Sequence, residues 1–167
     1  MAIDIPEPPP SAIANRLHTE LVSKILGYLA EAQRADIEAK FRVGDAIHAM
    51  RYSASFGRDA LRVLAESIAL EPSGILRTAR VAERIQRAER ELLLSLANAR
   101  GFPLTWSHLE ALQHVRGKAA RLQLARIALR DDLSVRELKQ RVAQTKVTRR
   151  ANGASKTEVT QDPSDAG

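Results

Sequence analysis

The sequence has no cysteine. Disulfides, thiolate metal sites and cysteine nucleophiles are therefore excluded. Aromatic residues make up only 4% of the chain. A core must then be assembled from Leu, Ile, Val and Ala, and of these Ala and Leu favour helix intrinsically. Glycine (8) and proline (7) are few, and the prolines fall near the ends and at breaks in the apolar pattern. This composition predicts an all-α protein. No apolar run approaches the roughly 20 residues that a membrane-spanning helix needs. The opening MAIDIPEPPPSAIANR lacks a basic segment followed by an apolar one, so it does not read as a secretory signal. The expected location is the cytoplasm, with no membrane partner.

The motifs of catalysis and cofactor binding are missing as well. There is no GxxxxGK followed by Ser or Thr, no GxGxxG and no HExxH, so phosphate-cradling loops and a single-helix zinc site have no support. His18, His48, His108 and His114 are dispersed, and the last two, six residues apart, fall on different faces of a short helix. The one tight acid pair between predicted helices, Asp131-Asp132, reads as a chain reversal. No nucleophile, base and orienting group recur at a supporting spacing. The sequence is read as non-catalytic, with no cofactor and no metal site.

What the chain does have is a lopsided charge. The net charge is +6. Residues 1–72 carry 8 basic and 10 acidic side chains, residues 73–151 carry 17 and 7, and residues 152–167 carry 1 and 3. A segment at +10 beside one at −2 points to a polyanionic partner for the basic half. Arg outnumbers Lys by 20 to 6, a choice that base composition of a genome can produce, but the excess over acids is not explained that way.

Along the chain, residues 1–10 read as an extended, Pro-rich leader, residues 11–144 as a single helical domain, and residues 145–167 as a disordered tail. Within the domain, residues 11–100 form a long-helix part and residues 104–144 a basic three-helix unit. Ser11 is a possible cap for a first long helix. Ile13, Leu17, Leu21, Ile25 and Leu29 repeat every fourth residue, one stripe that needs burial against the bundle or a second copy. Ala32, Phe41 and Ile47 continue it after a drift. Residues 51–58 read as a loop. A short helix capped by Asp59 carries Leu61, Leu64 and Ile68. Ser73 then caps a helix that thins, kinks or splits near residues 87–90 and is closed by Gly101 and Pro103.

The segment from Leu104 to Val142 is the most informative. Ser107-x-x-Glu110 and Ser134-x-x-Glu137 are two capping boxes that mark helix starts. Between them, residues 118–130 form a helix after the break at Gly117. The outcome is a multi-helix bundle with a C-terminal, helix-turn-helix-like unit. Trp106 reads as a staple before its helix. His108 is a candidate phosphate contact near a helix start. Arg136, Lys139, Gln140 and Arg141 on the last helix, Arg116, Lys118, Arg121 and Arg126 before it, and Arg149 and Arg150 just after it are the candidate nucleic-acid contacts, since Arg, Lys and Gln read phosphates and base edges. DNA is expected over RNA.

The pieces LTWSHLEALQHV, ARLQLARIAL and LSVRELKQRV resemble the N-terminal domain of YhcG-type proteins, long catalogued as a domain of unknown function. The matching positions are Leu104, Trp106, Ser107 and His108, then Ser134, Val135, Arg136, Glu137 and Leu138. Upstream, Phe41, Val43, Gly44 and Ile47 resemble an Ile-Gly-x-x-Ile helix of that domain, and Phe56-Gly57 with Leu61 and Leu64 its Tyr-Gly segment. Thr105, Leu133 and Leu124 depart from the pattern. The resemblance spans roughly residues 15–143. It implies an all-helical domain, usually joined to a restriction-endonuclease-type nuclease domain, in proteins associated with DNA binding, defence and mobile elements. No such second domain is read after residue 144, so no catalytic residue is carried over. The pairing of Ser-His with a later Ser-Val-Arg-Glu is also similar to ParB-like helix-turn-helix proteins. The rival expectation is an interaction module, in which the N-terminal helix docks a separately encoded nuclease or self-associates.

Overall fold

The computed structural model describes residues 10–52, 59–69 and 71–154. These form seven α-helices: α1 (Pro10–Tyr52), α2 (Ala60–Ser67), α3 (Pro72–Arg84), α4 (Arg87–Ser95), α5 (Trp106–Leu112), α6 (Lys118–Arg130) and α7 (Val135–Ala154). No strand occurs among the described residues, so the fold is the all-α, multi-helix arrangement that the composition dictates. No described helix is long and apolar enough to cross a membrane.

α1 is 43 residues long, about 65 Å at 1.5 Å per residue. Only its second half joins the bundle. Ala30, Ile37, Phe41, Gly44 and Ile47 are its buried positions, spaced so that they share one side of the helix. The bundle does not cover the stripe: Leu17, Leu21, Ile25 and Leu29 are exposed in the single chain, and the side chain of Ile13 lies outside the described residues. The reason is reach. The bundle meets α1 along its C-terminal half, chiefly through α3, on the other side of the helix. Gly44 allows a close approach, because a Cβ there would sit 2.6 Å from the Ala82 Cβ and 2.8 Å from the Thr78 carbonyl oxygen of α3.

Two apolar clusters hold the bundle. A small one, Ile47, Ala65, Ile75 and Ala79, fastens α2 and α3 to α1. The larger one runs through every helix except α2, from Ile37 and Phe41 through Val81, Ile85 and Leu93 to Leu109, Leu112, Ala125, Leu138 and Val142. The long-helix part and the basic unit therefore share one core.

Several starts and stops differ from those read in the sequence. α1 already includes Pro10 and Ser11, and proline suits a first helical turn because its missing N–H would be unsatisfied there. Asp59 occupies the cap position of α2 without a side-chain cap bond. α3 is capped by the extended Glu71 with Pro72 next to it, which leaves Ser73 inside the first turn. The split between α3 and α4 falls at Ile85 and Gln86, just before the position where the apolar stripe thins. α7 carries the chain as helix through Ala154, beyond the expected tail start at 145. Residues 1–9 of the expected 1–10 leader, the segment 53–58, Leu70 and the last residues, 155–167, lie outside the described residues.

Candidate nucleic-acid interface

The basic unit is built on its caps. α5 starts two residues earlier than Ser107-x-x-Glu110 implies. Thr105 is the N-cap, and its hydroxyl accepts from the His108 backbone N–H at 3.4 Å while the Thr105 N–H donates to His108 Nδ1 at 3.3 Å. His108 thus takes the place of the usual Glu or Gln in a capping box. Its other ring nitrogen, Nε2, lies 3.0 Å from the Leu133 carbonyl oxygen. A carbonyl only accepts and the Thr105 N–H only donates, so both contacts are satisfied together by the neutral ring with its proton on Nε2. This corrects the reading of His108 as a phosphate contact: both nitrogens are committed to tying the start of α5 to the segment before α7.

The α6–α7 connection is equally determined. Asp132 adopts a left-handed conformation, φ 48°, and the Leu133 N–H donates to the Ala128 carbonyl at 2.9 Å. That is a Schellman ending, with an aspartate where glycine is commonest. Ser134 and Glu137 form the capping box read in the sequence: the Ser134 N–H and hydroxyl donate to Glu137 Oε2 at 2.8 and 2.7 Å, and the Glu137 N–H donates to Ser134 Oγ at 3.3 Å. These bonds from Ser134 hold the Glu137 carboxyl below the usual carboxylate range. α6 and α7 are therefore joined by four residues, 131–134, in one fixed shape.

On this scaffold Arg136, Lys139 and Gln140 are exposed, and with Val135 and Ala143 they line one open depression on the outside of α7. Leu138 and Val142 face the core from the same helix. Lys118 and Arg126 of α6 are exposed as well, and among the described residues Lys118, Arg126, Arg136 and Lys139 make no ion pair. Arg116 is exposed beside Gly117. Arg141 is shared with Asp131 at 3.7 Å, and Asp131 also accepts from Arg130 at 2.7 and 3.2 Å. The Arg130 hydrogen bond is the larger cause of a depressed Asp131 carboxyl, with the charge of Arg141 adding to it. Arg149 and Arg150 lie on the last turns of α7, with side chains outside the described residues.

Arg121 does not belong to this surface. It donates from Nε and an Nη to both oxygens of Glu89, at 2.7 and 2.6 Å, and from its other Nη to the Val115 carbonyl at 2.8 Å. The hydrogen bonds to Glu89 raise its pKa further, against the cost of burial. An arginine so occupied joins α6 to α4, with its side chain buried against Glu89 and withdrawn from the surface a phosphate would meet. The sequence offered one sign of it: the apolar stripe thins at residues 87–90 because a charge is buried there. Arg90, next along the chain, reaches the other way. It bonds both oxygens of Asp45 at 2.6 and 2.7 Å, accepts the roles of a cap by donating to the Ala82 and Ile85 carbonyls, and lies over the Phe41 ring at 4.5 Å. Phe41 in turn meets Trp106 edge-on, with ring centres 5.2 Å apart. Trp106 is a packing residue of the α5 start. Asn98 was not singled out by the sequence either; its side-chain oxygen accepts from the Arg100 and Phe102 N–H groups at 3.0 Å each, which shapes the turn around Gly101.

Among the described residues no group of three or more His, Asp or Glu side chains is placed to hold a metal ion. No family model matches the chain, and no curated protein and no solved structure matches it.

Proposed function

We propose that this chain is a non-catalytic, cytoplasmic DNA-binding module that presents α7 to the major groove. The observation that carries the reading is the outer face of α7, where Arg136, Lys139 and Gln140 stand exposed together along one open depression. α6, the four-residue turn and α7 supply the parts of a helix-turn-helix, in which the second helix enters the groove and the first crosses the backbone. Arg136 and Gln140 then reach base edges, for which Arg and Gln have the matching donors and acceptors. Lys139, with Lys118 and Arg126 of α6, meets phosphates. The fixed turn supports the reading, because its bonds through His108, Asp132 and Ser134 hold α7 against the unit without using any of these side chains.

Fluorescence anisotropy with a labelled duplex, at two salt concentrations, tests it. Binding that weakens steeply with salt is expected, and each phosphate contact adds about 0.9 to the logarithmic salt slope. Lys118→Ala with Arg126→Ala lowers that slope by about 2. A folded protein that shows no binding at low salt, or binding without a salt slope, overturns the reading.

A further inference from the structure

We propose that the chain forms a homodimer through the first half of α1, with two copies of that helix packed antiparallel. This rests on a different surface from the nucleic-acid reading and stands or falls apart from it.

Leu17, Leu21, Val22, Ile25, Tyr28 and Leu29 are all exposed, from 40% for Val22 to 68% for Tyr28. Single exposed apolar residues are ordinary, but six along one helix segment make a contiguous patch of the kind that marks an interaction site. The spacing says what kind. His18, Leu21, Ile25, Tyr28, Ala32 and Ala35 alternate by three and four, the seam of a coiled coil, and every one of them is exposed. The bundle meets α1 through Ala30, Ile37 and Phe41, which lie on the opposite side of the helix. A second helix can therefore run along residues 18–35 without displacing any described residue. α1 is already held as a helix by the bundle, so association carries little of the nucleation cost that short coiled coils face.

The flanking charges choose the occupant and its direction. Lys24 and Glu31 border one side of the seam; Val22 and Leu29 border the other. Both charged residues are exposed and make no ion pair among the described residues. Consider the antiparallel pair that layers Ile25 on Tyr28 of the second copy and Leu21 on Ala32 of the second copy. Each Lys24 then lies beside the other copy's Glu31, twice by the two-fold symmetry, and each Val22 lies beside the other copy's Leu29. A parallel pair instead sets Glu31 beside Asp36 of the other copy, like charge against like, and Lys24 beside Leu29. Flanking charges of this sort set partner and orientation in coiled coils, and a self-complementary patch is what a two-fold dimer requires.

The absence of native cysteine makes the test direct. Light scattering on the full chain is expected to give twice the 18.4 kDa chain mass. Under mild oxidation the double variant Leu21→Cys/Ala32→Cys cross-links into dimers. Leu21→Cys alone does not, because the two copies of position 21 are about 16 Å apart along the pair at 1.5 Å per residue. Lys24→Glu and Glu31→Lys each weaken the dimer, and the two combined restore it. Leu21→Asp/Ile25→Asp gives a monomer whose bundle still unfolds cooperatively. A folded wild-type chain of monomer mass overturns the proposal. So does Leu21→Cys alone cross-linking as fast as the double variant, or a dimer that survives Leu21→Asp/Ile25→Asp.

Discussion

Arg121 and Glu89 meet through two hydrogen bonds, and their side chains are only 11% and 3% exposed. Removing one partner leaves the other charge buried and uncompensated, which typically costs about 3–5 kcal/mol. Arg121→Ala and Glu89→Ala are each expected to lose that much in urea denaturation. Glu89→Leu/Arg121→Met, which removes both charges, is expected to recover most of it. A strongly additive double variant would contradict the pairing.

Gly44 is a point of close approach between α1 and α3. In Gly44→Ala the new Cβ meets a backbone carbonyl at 2.8 Å as well as the Ala82 methyl, and backbone cannot turn aside. Overpacking of this kind costs about 1–3 kcal/mol, against a helix-propensity gain of at most about 1 kcal/mol. The denaturation midpoint is expected to fall, and a rise would show that the two helices can separate at no cost.

Two non-glycine residues sit in left-handed conformations at helix ends, Ala69 at φ 51° and Asp132 at φ 48°. The Cβ makes this conformation cost roughly 1–2 kcal/mol for an ordinary residue and less for Asp. Ala69→Gly is therefore expected to stabilise the fold by about 1 kcal/mol. Asp132→Gly should gain less, since it also loses the 3.4 Å contact with Asn98. Thermal unfolding of the two variants, compared side by side, checks both sign and order.

The α6–α7 turn gives the protein an acid sensitivity. Glu137 is held below its usual range by the hydrogen bonds from Ser134, and Asp131 by Arg130 and then Arg141. A carboxyl with a lowered folded-state pKa contributes stability that is present above its unfolded value, about 4, and is lost as pH falls through the lower folded value. Stability should thus drop below about pH 4. Glu137→Gln should flatten that drop, measured as the unfolding midpoint against pH, because the neutral side chain has no proton to gain.

Helix content and the Ser134–Glu137 box were legible because both depend on neighbours in the chain: apolar spacing in one case, a four-residue motif in the other. The same local logic missed at Thr105, where a histidine fills a role usually taken by Glu or Gln and shifts the α5 start. Long-range commitments left weaker marks. Nothing local distinguishes Arg121, which is taken by Glu89 at a separation of 32 residues, from Arg126, which faces solvent one turn later. The stripe of α1 was visible, but periodicity reports that a face is apolar and not what covers it.

The adjacency of Glu89 and Arg90 has an effect on α4 as a whole. One side of the helix presents an acid to Arg121, and the next residue presents a base to Asp45. Slide α4 by one residue in one direction, and Arg90 confronts Arg121 while Glu91 confronts Asp45. Slide it the other way, and Glu89 confronts Asp45 while Ala88 leaves Arg121 with no acid. Either slip sets like charges together. The sequence Ala-Glu-Arg-Glu at 88–91 thus acts as a rotational key: α4 fits between α1 and α6 in a single setting, and the core behind it is assembled in one register.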